Sequence, residues 1–239
     1  MSQGEWIQHL DADDTFQPDK IISQLHMAGT ADWVVGGYRH LYPDGTTEDS
    51  IPDPDLWKGL FHNFGTGCNH SNLIRRSALV KIGGWREDLT SGQDTDLHFR
   101  LLCAGVPTVI DNRILSIYHH HDSAARITAG DSKEKFWLRL NMLTAARKHL
   151  VNTRPEYWHA NEAYFLGAIL RVIRQVATYD LDAATEAYQT HFPSDTPRRL
   201  EIVGRYTRLY PYLGFRNVER LRLALAGVIP DELKRVLKS

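Results

Sequence analysis

Only two cysteines, Cys68 and Cys103, stand in 239 residues. That is too few for a disulfide framework and points to a reducing compartment. No apolar run approaches the roughly 18 residues that a membrane-spanning helix needs. Net charge is missing too: Lys and Arg number 28 against 29 Asp and Glu, so no nucleic-acid partner is expected from whole-chain charge. The opening Met-Ser-Gln-Gly-Glu holds neither the basic nor the apolar region of a signal peptide, and a cytoplasmic location is expected. Repeats, low-complexity tracts and a Gly-rich phosphate loop are also lacking. What is present is an ordinary soluble composition, 42% hydrophobic and 24% charged. The length suits one large domain, or a domain with an appendage.

The chain changes character near residue 130. Before it, short β-like runs alternate with turns: Trp6 to Leu10, Asp32 to Tyr42 followed by the turn "PDGT", Asn72 to Arg75, and one or two strands between Pro107 and His121. Two helical segments lie between them. "PDKIISQLHMAG" opens on a first-turn proline and stops at glycine. "DTDLHFRLLCAG" carries Leu97, Leu101, Leu102 and Ala104 at helical spacing. Strands mixed with helices predict an α/β layer over residues 1–130. After that the pattern is helical: a capping-box-like start at Asp131 and Glu134, an apolar-periodic stretch from Ala160 to Tyr179, and shorter helices from Thr196 broken by Pro211 and Pro230. Residues 131–239 are expected to form a helical C-terminal region.

Three clusters carry chemistry. In "GEWIQHLDADDTF" an apolar strand runs into Asp11, Asp13 and Asp14. Like charges crowded at a strand end repel by several kcal/mol in a low-dielectric cleft. A divalent cation with hard oxygen ligands offsets that, and the carboxyl ends of strands are where α/β sheets place ligands. The plainer alternative is that Asp13 or Asp14 caps the helix near Pro18. In "GGWREDLTSGQDTDLHFRLLCAG", Gln93, Asp94 and Asp96 open a helix; Ser91 and Asp94 read as a capping pair, and a carboxylate fixed there can also serve as a general base. In "YHHHDS", strand geometry turns His119 and His121 to one side and His120 to the other, and imidazole is a ligand for transition-type divalent metals.

Taken together, the strand ending "LDADD", the block "GGW...L..GQD.DL..RL...G" about 70 residues later, the preceding "SNLIRRSALVKIGGW" and the late "Y.HHHDS" resemble the family 2 glycosyltransferases of the GT-A fold. The resemblance covers roughly residues 3 to 125. It implies a truncated GT-A-like mixed sheet: the family's first strand and the helices holding the nucleoside, some 80 to 90 residues, have no counterpart ahead of this strand. It implies an inverting, metal-dependent transfer from a nucleotide-sugar donor to the hydroxyl of a glycan or lipid-linked acceptor, as in polysaccharide biosynthesis. Asp11 and Asp13 match the Asp-x-Asp motif that meets the donor, with Asp13 and His121 as ligands of Mn2+ or Mg2+. Asp94 matches the catalytic base. Trp85, Gln93 and Asp96 fall in the acceptor region, with Gln93 where the family has Glu.

Two other classes compete. A non-catalytic glycosyltransferase-like binding or scaffold protein is favoured by the missing half and by Gln93. A metal-dependent phosphotransferase or hydrolase would use Asp11, Asp13 and His121 but lacks a phosphate loop. Two surfaces are also expected to associate. A first strand without its family neighbour leaves an open sheet edge that invites self-association. From Arg198 to Lys238, ten basic residues face four acidic ones, interleaved with Tyr206, Tyr210, Tyr212, Leu213 and Phe215. That suits peripheral contact with an anionic membrane, or else a solvated face over core aromatics.

Overall fold

A computed structural model describes residues 2–62, 65–121, 133–193 and 205–226. The chain divides into two compact units, Met1–Gly130 and Asp131–Ser239.

The first unit is built on one mixed sheet. Its strands are β1 (Trp6–Gln8), β2 (Thr15–Phe16), β3 (Trp33–Leu41), β4 (Thr47–Ser50), β5 (Leu73–Arg75) and β6 (Thr108–His119). They lie in the order β1-β5-β3-β6-β2, with β4 folded back on β3. Only β3 and β6 are parallel; the other pairs are antiparallel. β1 is an edge strand: β5 occupies one side, and among the described residues no strand pairs with the other. The helices are α1 (Lys20–Ala28), α2 (Leu56–Phe61), α3 (Arg76–Lys81) and α4 (Gln93–Cys103).

β3 explains the layering. "WVVGGY" is buried at every position from Trp33 to Tyr38, as expected of a strand covered on both faces. Trp33 and Val35 face one way and pack with Ile74, Leu79, Leu97 and Leu101 under α3 and α4. Val34 faces the other way, with Leu73 and Ala28, beneath α1. The alternation is the two-residue period of a strand.

Gly36 sets a close approach in the middle of β3. A Cβ there would lie 2.2 Å from the carbonyl oxygen of Ser71 and 2.7 Å from Gln24 Nε2. The missing side chain admits the turn before β5, and the Gly36 N–H donates to Asn72 Oδ1 at 3.0 Å. The pairing of β3 with β6 shifts register at this point, so the chain ends of both strands are re-aimed beyond it.

The second unit is helical: α5 (Lys133–Thr153), α6 (Pro155–Val176), α7 (Leu181–His191), a 3-10 turn (Arg205–Leu209) and α8 (Tyr210–Ala226). Pro155 starts α6 in the first turn, where a missing N–H does no harm. Pro211 likewise lies in the first turn of α8 rather than breaking a helix, and the break comes three residues later at Gly214, with φ 73°. Tyr188 of α7 stacks on Phe215 at 4.5 Å and meets Tyr210 edge-on at 5.5 Å. Glu219 is fully buried, and Arg174, Arg222 and the Tyr210 hydroxyl all donate to it. Tyr210 and Phe215 are therefore core residues. The capping position Asp131, Pro230 and the basic residues before Arg205 and after Ala226 lie outside the described residues.

Candidate active site

The acidic run follows β1 and turns sharply, with the Asp14 N–H donating to the Asp11 carbonyl at 3.2 Å. Its four residues separate by environment. Asp11, Ala12 and Asp13 are exposed, whereas Asp14 is buried. Asp14 does not cap α1: the N-cap is Asp19, whose side chain makes no cap hydrogen bond. Asp14 Oδ1 instead accepts the backbone N–H of His119 at 3.0 Å, and Oδ2 lies 3.1 Å from His70 Nδ1. Burial alone would raise the Asp14 carboxyl; the His70 ring and the His119 N–H outweigh it and hold the group below its ordinary value.

This anchor ties the acidic turn to the end of β6 and brings the sequence-predicted pair together. Asp13 Oδ2 and His121 Nε2 stand 3.6 Å apart, and both side chains are about half exposed. The alternation predicted for the three histidines holds. His119 and His121 stack in parallel, and His119 Nε2 meets the Thr15 hydroxyl at 3.0 Å. His120 turns away, and its Nε2 lies 2.9 Å from His40 Nδ1.

Asp13 and His121 are donor types that a divalent cation takes. Their 3.6 Å separation would have to close somewhat for two cis ligands on one small ion, which stand about 3 Å apart. Among the described residues no third His, Cys, Asp or Glu joins them. Mg2+ and Mn2+ suit this arrangement, since such ions keep several positions for water and phosphate oxygens. Asp11 is exposed, and its charge acts on His9 and on Asp94.

Asp94 stands in the first turn of α4, whose N-cap is Gly92 with φ 71° and no side-chain cap. The Ser91–Asp94 capping pair does not form. Burial raises the Asp94 carboxyl above its ordinary range and Asp11 adds to this, while hydrogen bonds from Asn69 and the nearby His70 pull the other way. A carboxylate so placed is a stronger base than a solvated one.

The remaining predicted residues spread around the same loop. Trp85 is 36% exposed, and its indole N–H donates to His9 Nε2 at 3.2 Å with the rings edge to face. The turn before it needs its two glycines, since Gly83 and Gly84 have φ of 80° and 66°. Asp96 is engaged in ion pairs with Arg100 at 2.7 Å and Arg86 at 3.7 Å, and Arg100 also donates to the carbonyls of Ile82 and Gly84. Gln93 Nε2 donates to the Leu89 carbonyl at 2.9 Å. Asp96 and Gln93 thus shape the Trp85 loop, and neither side chain is held toward Asp94.

Sequence reasoning missed His9, Asn69, His70 and Lys20. Gln8 Nε2 donates to the carbonyls of both His9 and His70, which stitches the end of β1 to the turn carrying Asn69. His9 Nδ1 and Asn69 Oδ1 are buried without a hydrogen-bond partner among the described residues, one on either side of that stitch. Of the two residues, Asn69 is the one beside Asp94, where ordered water would satisfy a leftover polar atom. The signal available was the polar run "CNHSN" directly ahead of β5. Lys20, in the first turn of α1, is fully buried and donates to Gln8 Oε1 and, at 2.8 Å, to Gln24 Oε1.

No protein-family profile and no curated protein sequence matches this chain. Among solved structures, Staphylococcus aureus TarS 1–349 in complex with UDP-GlcNAc is similar, with a TM-score of 0.57 at 11% identity, over 95% of this chain and 68% of that one. A second structure of TarS 1–349 matches with a TM-score of 0.44 at 10% identity, over 92% and 67%. At these identities the likeness is one of fold: a GT-A-like mixed sheet with a helical C-terminal region.

Proposed function

We propose that the chain belongs to an inverting glycosyltransferase that moves a sugar from a nucleotide diphosphate donor to the hydroxyl of a glycan or lipid-linked acceptor. The observation that carries this reading is the meeting of Asp13 and His121 at 3.6 Å, on a fold like that of a protein solved with UDP-GlcNAc. Asp13 and His121 would hold a divalent cation, whose charge offsets the negative charge growing on a departing diphosphate. Asp11, in the same turn, would meet the donor as the resemblance implies.

The chain's own groups perform the proton work. Asp94 takes the proton of the acceptor hydroxyl as its oxygen bonds to the anomeric carbon. The bond from that carbon to the diphosphate oxygen breaks, and the nucleotide leaves with the electron pair. Attack from the face opposite the leaving group gives inversion. Trp85 offers an apolar surface to the acceptor, while His70 and the backbone of His119 keep the acidic turn and β6 in register through Asp14.

One specific feature favours a second reading, a non-catalytic sugar-nucleotide-binding protein: Gln93, where the resemblance calls for Glu, spends its side chain on the Leu89 carbonyl. Calorimetry with UDP-GlcNAc and Mn2+, paired with an assay for UDP release, separates the two. Binding with UDP release supports the transferase. Binding without release in the presence of any acceptor selects the second reading, and no binding of any nucleotide sugar overturns both.

A further inference from the structure

The second unit carries an exposed apolar knuckle where the 3-10 turn runs into α8. Tyr212 is 82% exposed and Leu213 48%, and Leu209 beside them is also exposed. Their sequence neighbours are the most deeply buried part of the segment: Tyr210 and Phe215 are each 4% exposed and lock into the aromatic cluster around Tyr188. The knuckle is therefore held out on a rigid base rather than left loose. Gly214, at φ 73°, breaks the helix between the two anchors.

Charge on this surface is mostly basic. Arg208, Arg216 and Arg220 are exposed around the knuckle. The acids nearby are few: Asp182 pairs with Arg216 at 2.6 Å, and Glu219 is buried among Arg174, Arg222 and Tyr210. Along α8 beyond Gly214, Phe215, Val218 and Glu219 face inward. Leu221 and Leu225 on the same helix are also exposed, at 47% and 38%.

We propose that this knuckle docks on the surface of an anionic lipid bilayer, with Leu209, Tyr212 and Leu213 entering the interface and the arginines meeting lipid phosphates. A projecting aromatic and two leucines flanked by arginines is the composition that sits at headgroup level. The electrostatic part follows from the negative surface potential of such a leaflet. A second copy of the chain fits less well. Three side chains fall far short of the roughly 800 Å² per partner of a standard protein interface, and two knuckles of like charge repel. A bilayer needs only shallow insertion plus charge. The contact stands on the second unit alone and requires no catalysis by the first.

The test is flotation of the full chain with vesicles of phosphatidylcholine alone and with one quarter phosphatidylglycerol, at low and high salt. Binding is expected only to the anionic vesicles and is expected to weaken with salt. The double variant Tyr212→Ser/Leu213→Ser should lose it, and Arg208→Glu/Arg220→Glu should reduce it by more than about tenfold. Both variants change exposed side chains, and unchanged thermal unfolding followed by circular dichroism shows that they fold. Absence of binding to anionic vesicles, equal binding to neutral ones, or wild-type binding by the folded double variant overturns the proposal. A wild-type dimer in light scattering that Tyr212→Ser/Leu213→Ser converts to monomer also overturns it, in favour of a second copy.

Discussion

Asp14 Oδ2 and His70 Nδ1 stand 3.1 Å apart, with side chains only 1% and 4% exposed. The other Asp14 oxygen accepts the His119 N–H. One buried carboxylate thus joins three chain segments: the turn after β1, the turn before β5 and the end of β6. His70 is in turn packed parallel to Tyr118 and edge-on to Tyr38, which fixes the ring that Asp14 meets.

Asp14→Ala should therefore act on both stability and the site. Removing the carboxylate leaves the His119 N–H and the His70 ring without it in a buried place, a loss of about 3 kcal/mol in unfolding free energy. It also frees the end of β6 from the acidic turn, so Mn2+ binding should weaken with it. Urea unfolding and calorimetry on the same variant check the pair of outcomes. A wild-type unfolding midpoint would mean that the contact carries no weight.

Asp13 and His121 make the direct cation prediction. Asp13→Ala and His121→Ala should each weaken Mn2+ binding at least about tenfold, since each removes one of the two proposed ligands. Asp11→Ala should have the smaller effect, because Asp11 acts on His9 and Asp94 instead. Affinity should rise when UDP is present, as phosphate oxygens fill the open positions. Calorimetric titration decides, and equal binding by wild type and Asp13→Ala rules the site out.

Asp94→Asn should lower transfer by about 10²–10⁴-fold, the usual contribution of a general base, while donor binding stays close to wild type. The pH profile carries a second signature. Because burial raises the Asp94 carboxyl, activity should fall on the acid side at a pH above that of an ordinary carboxylate. The fall marks the protonation that removes the base. An Asn variant with near-normal turnover would reduce Asp94 to a helix-start residue. Gln93→Glu should be tolerated, because Gln93 braces the Leu89 carbonyl.

How much of this was legible in the sequence follows from what each signal depends on. The β3 core and the Leu97–Leu101 face of α4 were legible because local periodicity records burial. The pairing of Asp13 with His121 was anticipated from the resemblance, and the turning of His119 and His121 to one side came from strand alternation alone. The helices over Leu56–Phe61 and Arg76–Lys81 were not read, being six residues each and too short to show a period. For Asp14 the sequence left two uses open, a share in the cation cluster or a cap for the helix near Pro18; its actual partners, His70 and His119, are remote in sequence. His9, Asn69 and Lys20 were missed for the same reason, whereas the alternative of core aromatics in the basic tail holds for Tyr210 and Phe215.

Lys20 gives the clearest test of the buried network under β1. Its ammonium group is fully buried and donates to two glutamine carbonyls, Gln8 Oε1 and Gln24 Oε1, with no carboxylate in hydrogen-bond contact. Gln24 Nε2 in turn donates to the Ser71 carbonyl at 3.1 Å, so the network links β1, α1 and the turn that Gly36 admits. Burial lowers the amine to about 7, against about 10.4 in an unfolded chain. Between those values the unfolded chain binds more protons than the folded one, so stability rises with pH across that window. The slope contributed by a single group is at most about 1.4 kcal/mol per pH unit. Lys20→Met should remove the slope between pH 7 and 10. It should also lower stability at pH 10, where the neutral wild-type amine still serves Gln8 and Gln24 and methionine cannot. Urea unfolding of both proteins across that range measures the two effects separately. A wild-type curve that is flat from pH 7 to 10, or a variant that keeps the wild-type slope, would show that Lys20 is not buried as a lone amine.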